Sequence, residues 1–307
     1  MKLTIEYNAI NERNTFSSGD TLTGQVIVEV SKKTTVKSLT IKAKGKANVL
    51  WSESDGEHSV TYWDSDKYFS QTEAIVPKDH DDGSFTLSPG RNTFPFVIQL
   101  PPNDLPSSFK GESGKVKYHL VAQLRRTLRA QSKAETEFTF VSRPDSLLPL
   151  ARTPQHGAKD KDVVFFSSGN ISMNIYLEKT GYQQGENLII RGEIVNSSTK
   201  KIVPKYTIYQ KQSFFASGKR RLHISNIVKE KEAALPSSSR LTVSKILTIP
   251  SGVTPTILNC RILKVEYRLK VILDVSFTKN PELKLPLVIL PACDGAMAKA
   301  LEAGEQL

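Results

Sequence analysis

Apolar residues alternate with polar residues, at a period of two, along almost every apolar segment of this chain. Successive side chains of a β-strand point to opposite faces of its sheet, so the alternation predicts strands that each bury one face. The predicted inward positions are Leu22, Val26, Val28 and Val30; Leu39, Ile41 and Ala43; Phe94, Phe96, Ile98 and Leu100; Val116, Tyr118, Leu120, Ala122 and Leu124; Ile171, Met173, Ile175 and Leu177; and Leu263, Val265, Tyr267, Leu269, Val271 and Leu273. The pattern is typical of an all-β protein.

The chain also contains an internal repeat. Over its 307 residues, a shift of 166 places Gly19-Asp20 on Gly185-Glu186, and a shift of 149 places Val116 on Val265. Two similar halves, with short strands between turns rich in glycine and proline, predict two tandem immunoglobulin-like β-sandwiches of about seven strands each. The second half is shorter in its middle, and we assign the difference to a long hairpin between Trp51 and Asp82.

The predicted domains follow from this repeat. We assign an N-terminal sandwich to 1–148, a linker to 149–166, a C-terminal sandwich to 167–292 and a short tail to 293–307. The linker is assigned because the sequence from Arg143 to Asp162 is rich in proline and charge and lacks alternation.

Composition and the N-terminus exclude several classes of protein. No apolar run approaches the roughly 20 residues that cross a bilayer. The first residues contain Glu6 and Asn8 where a signal peptide needs an apolar core. The two cysteines, Cys260 and Cys293, cannot form a disulfide framework or a four-thiolate zinc site. We therefore predict a soluble protein of the cytoplasm.

Motifs for catalysis and metal binding are missing from the sequence. The five histidines form no His-x-x-x-His pair that would hold a metal. The segment Gly111-Glu112-Ser113-Gly114-Lys115 lacks the first glycine of a phosphate-binding loop, because Phe109 occupies that position. A serine triad built from residues far apart in the sequence is the one catalytic alternative that these motifs do not exclude. We predict no enzyme, no catalytic residue, no metal site and no cofactor.

Several motifs resemble one family in their order and spacing. They are Phe16-Ser17-Ser18-Gly19-Asp20-Thr21-Leu22-Thr23-Gly24, Ile41-Lys42-Ala43-Lys44-Gly45-Lys46, Leu100-Pro101-Pro102, Tyr182-Gln183-Gln184-Gly185-Glu186, Cys260-Arg261-Ile262-Leu263-Lys264-Val265-Glu266-Tyr267 and Leu285-Pro286-Leu287-Val288-Ile289. The chain resembles the alpha-arrestins, or arrestin domain-containing proteins, from about Leu3 to Leu290.

The resemblance implies a function in membrane traffic. It implies a non-enzymatic adaptor that binds membrane receptors or transporters, regulates their endocytic or endosomal trafficking, and is recruited from the cytoplasm to the plasma membrane and endosomes. Many alpha-arrestins recruit a HECT-class ubiquitin ligase through Pro-Pro-x-Tyr motifs. Pro101-Pro102 is followed by Asn103-Asp104 instead, so the printed sequence contains no such motif and does not predict direct ligase recruitment.

A basic run lies between Lys200 and Lys231 in the second half of the sequence. That half contains 23 of the 42 basic residues but only 13 of the 31 acidic ones. Two interpretations are open: a solvated outer face, or a contact site for an anionic membrane, an inositol phosphate or a phosphorylated cargo tail. No nucleic-acid-reading motif accompanies the run, so nucleic acid is not predicted as a partner. The predicted contact residues are Lys200, Lys201, Lys205, Lys211, Lys219, Arg220 and Arg221.

The first half contains an acidic hairpin and a row of lysines. The segment from Ser52 to Asp82 contains nine acids and two lysines. This charge predicts either a solvated loop or an autoinhibitory loop that lies over a basic surface of the same chain. Lys42, Lys44 and Lys46 alternate with small or apolar residues, so they share one strand face. The arrestin resemblance makes this row a candidate cargo contact, and the alternative is a sheet edge protected by lysines.

Cys260 is a possible redox thiol. If its strand runs unbroken, it joins the exposed face with Lys264 and Lys270, where cations would lower the pKa of the thiol. In one relative, thioredoxin-interacting protein, the matching cysteine links to thioredoxin, so the alternative function is a redox-linked regulator. A bulge at the strand start would turn the thiol inward instead.

Overall fold

β-Strands are the dominant secondary structure of the described residues. The computed structural model describes residues 1–56, 58–76, 84–127, 129–143, 145–162, 169–276 and 280–292. The strands of the first half are β1 (Lys2–Tyr7), β2 (Thr15–Phe16), β3 (Thr21–Val30), β4 (Thr34–Val36), β5 (Ser38–Asp55), β6 (His58–Ala74), β7 (Phe85–Leu87), β8 (Gly90–Gln99), β9 (Phe109–Lys110), β10 (Gly114–Arg125) and β11 (Ser132–Phe140).

The strands of the second half follow a short helical segment. A 3-10 turn (Asp145–Leu147) leads into helix α1 (Leu148–Ala151). The strands are β12 (Gln155–Asp162), β13 (Asn170–Leu177), β14 (Gly181–Gln183), β15 (Asn187–Asn196), β16 (Ile202–Ala216), β17 (Lys219–Lys231), β18 (Ser239–Thr248), β19 (Leu263–Val275) and β20 (Glu282–Leu290). Within the described residues, no helix has the length and apolar composition that a bilayer span requires.

Each half builds two main sheets. In the first half, one sheet has the order β1-β3-β8, and a six-stranded sheet has the order β2-β11-β10-β5-β6 with β9 paired to β10. In the second half the orders are β12-β13-β15-β18 and β14-β20-β19-β16-β17. A small sheet of β4 and β7 completes the first half. The predicted all-β architecture is confirmed.

The core follows the predicted alternation. Tyr118 and Leu120 on β10 are 1% and 0% exposed, and Val265 and Leu269 on β19 are both fully buried. The side chains between them point to the opposite face of the same sheet. Phe94 is an exception among the predicted inward residues, because it is only half-buried, in the middle of the edge strand β8. The alternation therefore also fixes which polar residues face outward.

The chain divides into two compact units. The first comprises Met1–Arg143 together with Phe214–Arg221 and Asn259–Leu263, and the second contains the other described residues. Two short segments from the second half of the sequence therefore pack within the first unit. The position of these two segments in the sequence does not predict that they belong to the first unit.

The segment predicted as a linker contains regular structure. β12 pairs with β13 over eight residue pairs, from Gln155 with Leu177 to Asp162 with Asn170. The absence of apolar alternation in β12 misled the sequence analysis, since an exposed edge strand needs hydrogen-bonding partners but no buried row of side chains. Residues 163–168 of the predicted linker and the tail at 293–307 lie outside the described residues.

Candidate functional site

A basic groove lies on the outward face of the six-stranded sheet of the first unit. Its cavity of about 770 Å³ is lined by side chains of β5, β10 and β11 and by the loop between β9 and β10. Alternation places these side chains on one face, because Tyr118 and Leu120 on β10 point into the core. The charged and titratable residues that define the basic groove are Lys44, Lys46, Lys110, Lys115, Lys117, Lys133, His119, Glu112, Glu135 and Glu137.

Strand register brings the groove lysines together. β5 pairs with β10 so that Lys46 lies opposite Lys117 and Lys44 lies opposite His119. Opposed residues on one face have Cβ atoms about 5 Å apart. The outward rows of both strands therefore form one positively charged surface.

Part of the positive charge in the basic groove has no carboxylate partner. Lys117 pairs with Glu137, and the Lys133 ammonium lies 2.7 Å from Glu135. In the described part of the chain, by contrast, no carboxylate lies within 4 Å of the ammonium of any of four other groove lysines. These four are Lys44, Lys46, Lys110 and Lys115. The groove can therefore attract an anionic group without first breaking ion pairs of its own.

Lys44 and His119 are two titratable groups of this groove whose pKa is lowered by burial. Burial lowers the pKa of Lys44, and the neighbouring Lys133, Lys46 and Lys42 lower it further, while Glu135 opposes them. Burial also lowers the pKa of His119, and the positive charge of Lys44 acts in the same direction. A bound carboxylate or phosphate would offset this crowding of like charges.

The imidazole of His119 has an unsatisfied nitrogen at the groove. His119 is 4% exposed, and its Nε2 lies 3.3 Å from Oε1 of Glu135. The two atoms are not aligned for a hydrogen bond, so this buried nitrogen has no hydrogen-bond partner among the described residues. Because this nitrogen is closed to solvent, the lysines of the groove and not the imidazole are its accessible polar groups.

The structure places the predicted lysine row partly in the groove. Lys44 and Lys46 line it, whereas Lys42 lies on the same face beyond its lining. The alternative of a protected sheet edge is wrong, because β5 lies between β10 and β6. The row therefore has paired strands on both sides.

The predicted basic run divides between the two ends of one hairpin. Ser217 and Gly218, both with positive φ, form the turn between β16 and β17, and Lys219, Arg220 and Arg221 follow it as exposed residues. Two-residue hairpin turns of this kind need positive φ at both positions. Lys200 and Lys201 come directly before the start of β16, at the opposite end of that strand from the turn. The basic run is therefore not one continuous patch.

Acids from β19 offset part of the charge of this run. The Lys205 ammonium lies 2.6 Å from Asp274, and the Lys211 ammonium lies 3.0 Å from Glu266. Counting along the sequence missed both acids, because they lie on a strand more than fifty residues away. Lys205 and Lys211 are thus less available for an external anion than the sequence suggested.

Acids of the β5–β6 hairpin also have basic partners within the first unit. Asp64 accepts two hydrogen bonds from the Arg261 guanidinium, which lowers the pKa of Asp64. Glu53 lies 3.9 Å from Arg221. Other acids counted in the predicted hairpin, namely Glu57, Asp79, Asp81 and Asp82, lie outside the described residues.

Cys260 is buried, so of the two predicted orientations the thiol has the inward one. The chain bends before β19 begins at Leu263, so the alternation of that strand does not extend back to Cys260. Cys260 is 1% exposed, and the Tyr68 hydroxyl donates a hydrogen bond of 3.1 Å to its Sγ. Burial raises the pKa of the thiol. The inaccessibility of the thiol and its raised pKa both oppose thiolate chemistry. Cys293 lies outside the described residues.

Comparison with known proteins identifies the family. The family model for the arrestin (or S-antigen) N-terminal domain matches residues 3–146, and the model for the C-terminal domain matches residues 167–292. The chain belongs to the arrestin family. Its relatives include human arrestin domain-containing protein 4, which is 34% identical over 283 residues, or 89% of this chain and 68% of that protein.

A second relative supports the same branch of the arrestin family. Human thioredoxin-interacting protein is 28% identical over 280 residues, which cover 89% of this chain and 71% of that protein. The predicted resemblance to alpha-arrestins is confirmed. Arrestin-family homologues are non-enzymatic adaptors, so the homology supports an arrestin-like adaptor.

Sequence reasoning missed much of the basic groove of this arrestin. It identified Lys44 and Lys46 but not Lys115, Lys117 or His119, which alternate with buried residues of β10 in the same manner. The alternation of outward and buried residues along β10 could have identified these three residues. The register between β5 and β10 could not be read from the sequence, because the two strands are more than fifty residues apart.

Proposed function

We propose that this arrestin is an adaptor that binds acidic cytoplasmic segments of membrane receptors or transporters through the basic groove. It would act in the cytoplasm, be recruited to the plasma membrane and endosomes, and regulate endocytic or endosomal trafficking of its cargo. The observation that carries the proposal is the groove itself, where Lys44, Lys46, Lys110 and Lys115 lack a carboxylate partner among the described residues.

Charge complementarity supports an acidic cargo. Clustered charge of one sign in a cleft concentrates ligands of the opposite sign and accelerates their association. A neutral or basic segment would leave the like charges of the lysines uncompensated.

Anisotropy of a fluorescein-labelled peptide tests this function. The probe is an eight-residue peptide that contains four glutamates. We expect it to bind the parent protein and to bind the double variant Lys44→Gln, Lys46→Gln about tenfold or more weakly, because two groove charges are removed.

The matched control removes the same charge elsewhere. Lys32 and Lys33 are exposed and lie outside the groove. The double variant Lys32→Gln, Lys33→Gln should retain nearly the full affinity. Equal losses in the two double variants would mean that net charge, and not the groove, binds the peptide.

A second anionic contact fits recruitment to a membrane. Lys219, Arg220 and Arg221 lie together beside the turn of the β16–β17 hairpin and are exposed. We include in the proposal that this turn contacts an anionic lipid surface or an inositol phosphate, since each surface lysine or arginine contributes about 1 kcal/mol near an anionic membrane.

A further inference from the structure

Two large apolar side chains are exposed beside the basic groove. Leu50 on β5 is 61% exposed and Trp63 on β6 is 67% exposed. They are direct partners in the register of the β5–β6 hairpin. Direct partners project from the same face, with Cβ atoms about 5 Å apart. The two residues therefore form one apolar pair on the surface.

The apolar pair shares the face of the groove lysines. Leu50 is an even number of residues from Lys44 and Lys46 along β5, and it is itself part of the groove lining. Its backbone N–H donates a hydrogen bond of 2.9 Å to the carbonyl of Ser113, in the loop that forms the groove wall. The charged and apolar parts thus form one continuous surface.

Exposed tryptophan in such a position is characteristic of binding surfaces. Tryptophan is enriched among the residues that dominate binding energy, and a neighbouring apolar side chain enlarges the area that a ligand can cover. Core packing does not account for Trp63, because most of its surface is in contact with solvent.

We propose that the basic groove and the Leu50–Trp63 pair together bind one extended acidic peptide that carries an apolar side chain. The acids contact Lys44 and Lys46, and the apolar side chain packs on Leu50 and Trp63. The proposal rests on the function proposed above and adds the class of peptide that the groove selects.

Strand geometry predicts the spacing of the peptide. The groove follows β5 from Lys44 to Leu50, which are six residues apart, or about 20 Å at roughly 3.3 Å per residue. An extended peptide has the same rise and the same alternation. The expected pattern is therefore Glu-x-Glu-x-x-x-Leu, in either chain direction, with all three side chains on one face.

Peptide variants test the apolar contact and its spacing. We compare Glu-Ser-Glu-Ser-Ser-Ser-Leu with a peptide that has serine in place of the leucine, and with one that has leucine one position earlier. The reversed sequence covers the other chain direction. We expect the first peptide or its reverse to bind about tenfold more tightly than both controls, since burying a leucine side chain corresponds to about that factor.

Protein variants test the same contact from the other side. Leu50→Ser combined with Trp63→Ser should remove the advantage of the leucine peptide, so that the leucine and serine peptides bind this variant with equal affinity. Val97 is 66% exposed on β8, in another sheet, so Val97→Ser is the matched control and should change neither affinity. Circular dichroism and thermal unfolding verify that each variant is folded.

The outcomes separate this inference from the proposed function. If lysine variants weaken both peptides but leucine adds nothing, the groove function stands and the apolar contact is rejected. Equal affinity for the shifted leucine also overturns the proposal. If sedimentation shows a dimer that the Leu50→Ser, Trp63→Ser variant dissociates, a second copy of the chain covers the pair instead. If no acidic peptide binds, the function proposed for the groove fails as well.

Discussion

His119 shows how one buried side chain couples the groove to folding. Its imidazole is 4% exposed and faces Lys44 across the β5–β10 register, with Glu135 on the next strand. Burial and the lysine charge both favour the neutral ring, so the pKa in the folded protein lies below the ordinary histidine value of 6.5. Protonation therefore favours the unfolded chain.

The sign of the pH effect follows from that shift. Because the unfolded chain binds the proton more tightly, the stabilising contribution of neutral His119 is complete above about pH 6.5 and is lost as the pH falls through the lower folded-state value. We expect His119→Gln to unfold in urea with a shallower dependence of stability on pH between 7 and 5. Parallel curves for the parent and the variant would contradict this, and nuclear magnetic resonance titration of the His119 ring in the parent measures its pKa directly.

Burial of Cys260 gives a second prediction at the residue scale. In a Cys293→Ser background, Cys260 is the remaining thiol of the chain's two cysteines. We expect an aromatic disulfide reagent to label it at least about 100-fold more slowly in the folded protein than in urea, because labelling must wait for local opening.

A variant of Tyr68 tests the cause of that protection. The Tyr68 hydroxyl donates its hydrogen bond to the thiol, and its ring stacks near Tyr118. Tyr68→Ala should accelerate labelling, while Tyr68→Phe keeps the ring and should change the rate little. Rapid labelling of the folded parent would reopen the redox alternative for Cys260.

At the scale of elements, close packing at the centre of β5 determines the shape of the β5–β6 hairpin. Gly45 pairs with Phe69 and Lys46 with Lys67, so Tyr68 is the additional residue of a β-bulge. Bulges redirect side chains, and here Tyr68 reaches Cys260. A Cβ atom on Gly45 would lie 2.5 Å from Cε1 of Tyr118 and 2.8 Å from Cε1 of Phe69.

Gly45→Ala should therefore destabilise the protein. Tyr118 is 1% exposed and its hydroxyl donates to the Pro106 carbonyl, so the ring cannot move away without losing packing or that hydrogen bond. Overpacking of this kind costs about 1–3 kcal/mol in the free energy of unfolding. Chemical denaturation measures the change. Gly252→Ala is the control, because among the described residues no atom beyond its two chain neighbours lies within 4 Å of the added carbon, and similar losses in both variants would refute the packing argument.

The elements also show what the sequence could predict. Period-two alternation identified β10 and β19 because each has one buried face, and the buried rows at Tyr118 and Leu269 are where it placed them. It failed at β12, which has no buried row, and at Cys260, where a bend ends the period. The partners of Lys205 and Lys211 depend on strand pairing, which alternation along one strand cannot determine.

Over the whole molecule, charge is distributed unevenly among surfaces of different kinds. The net charge is +11, yet Lys205 and Lys211 are paired with acids of β19, whereas Lys219 to Arg221 lie exposed beside a hairpin turn. Arg220 lies over the Phe215 ring, and Arg221 is 3.9 Å from Glu53. The turn retains positive charge at the surface, which a membrane-contact role requires.

Vesicle sedimentation tests that role for the whole protein. Replacing Lys219, Arg220 and Arg221 by glutamine should weaken binding to phosphoinositide vesicles by between about tenfold and 100-fold, from about 1 kcal/mol per residue reduced by the neighbouring Glu53. The matched control replaces the exposed Lys32, Lys33 and Lys37 by glutamine and changes the net charge equally. It should bind almost as well as the parent.

Salt and a charge-preserving variant identify the physical cause of vesicle binding. Charges are screened over about 8 Å at roughly 0.15 M ionic strength, so added salt should weaken the parent toward the level of the glutamine variant. Lysine at positions 220 and 221 should preserve most of the binding, because a diffuse field needs charge and not the guanidinium geometry. If the two glutamine triples lose binding equally, the net charge of the whole molecule attracts the membrane. If neither loses binding at low salt, the hairpin turn is a solvated surface and membrane recruitment depends on another part of the protein.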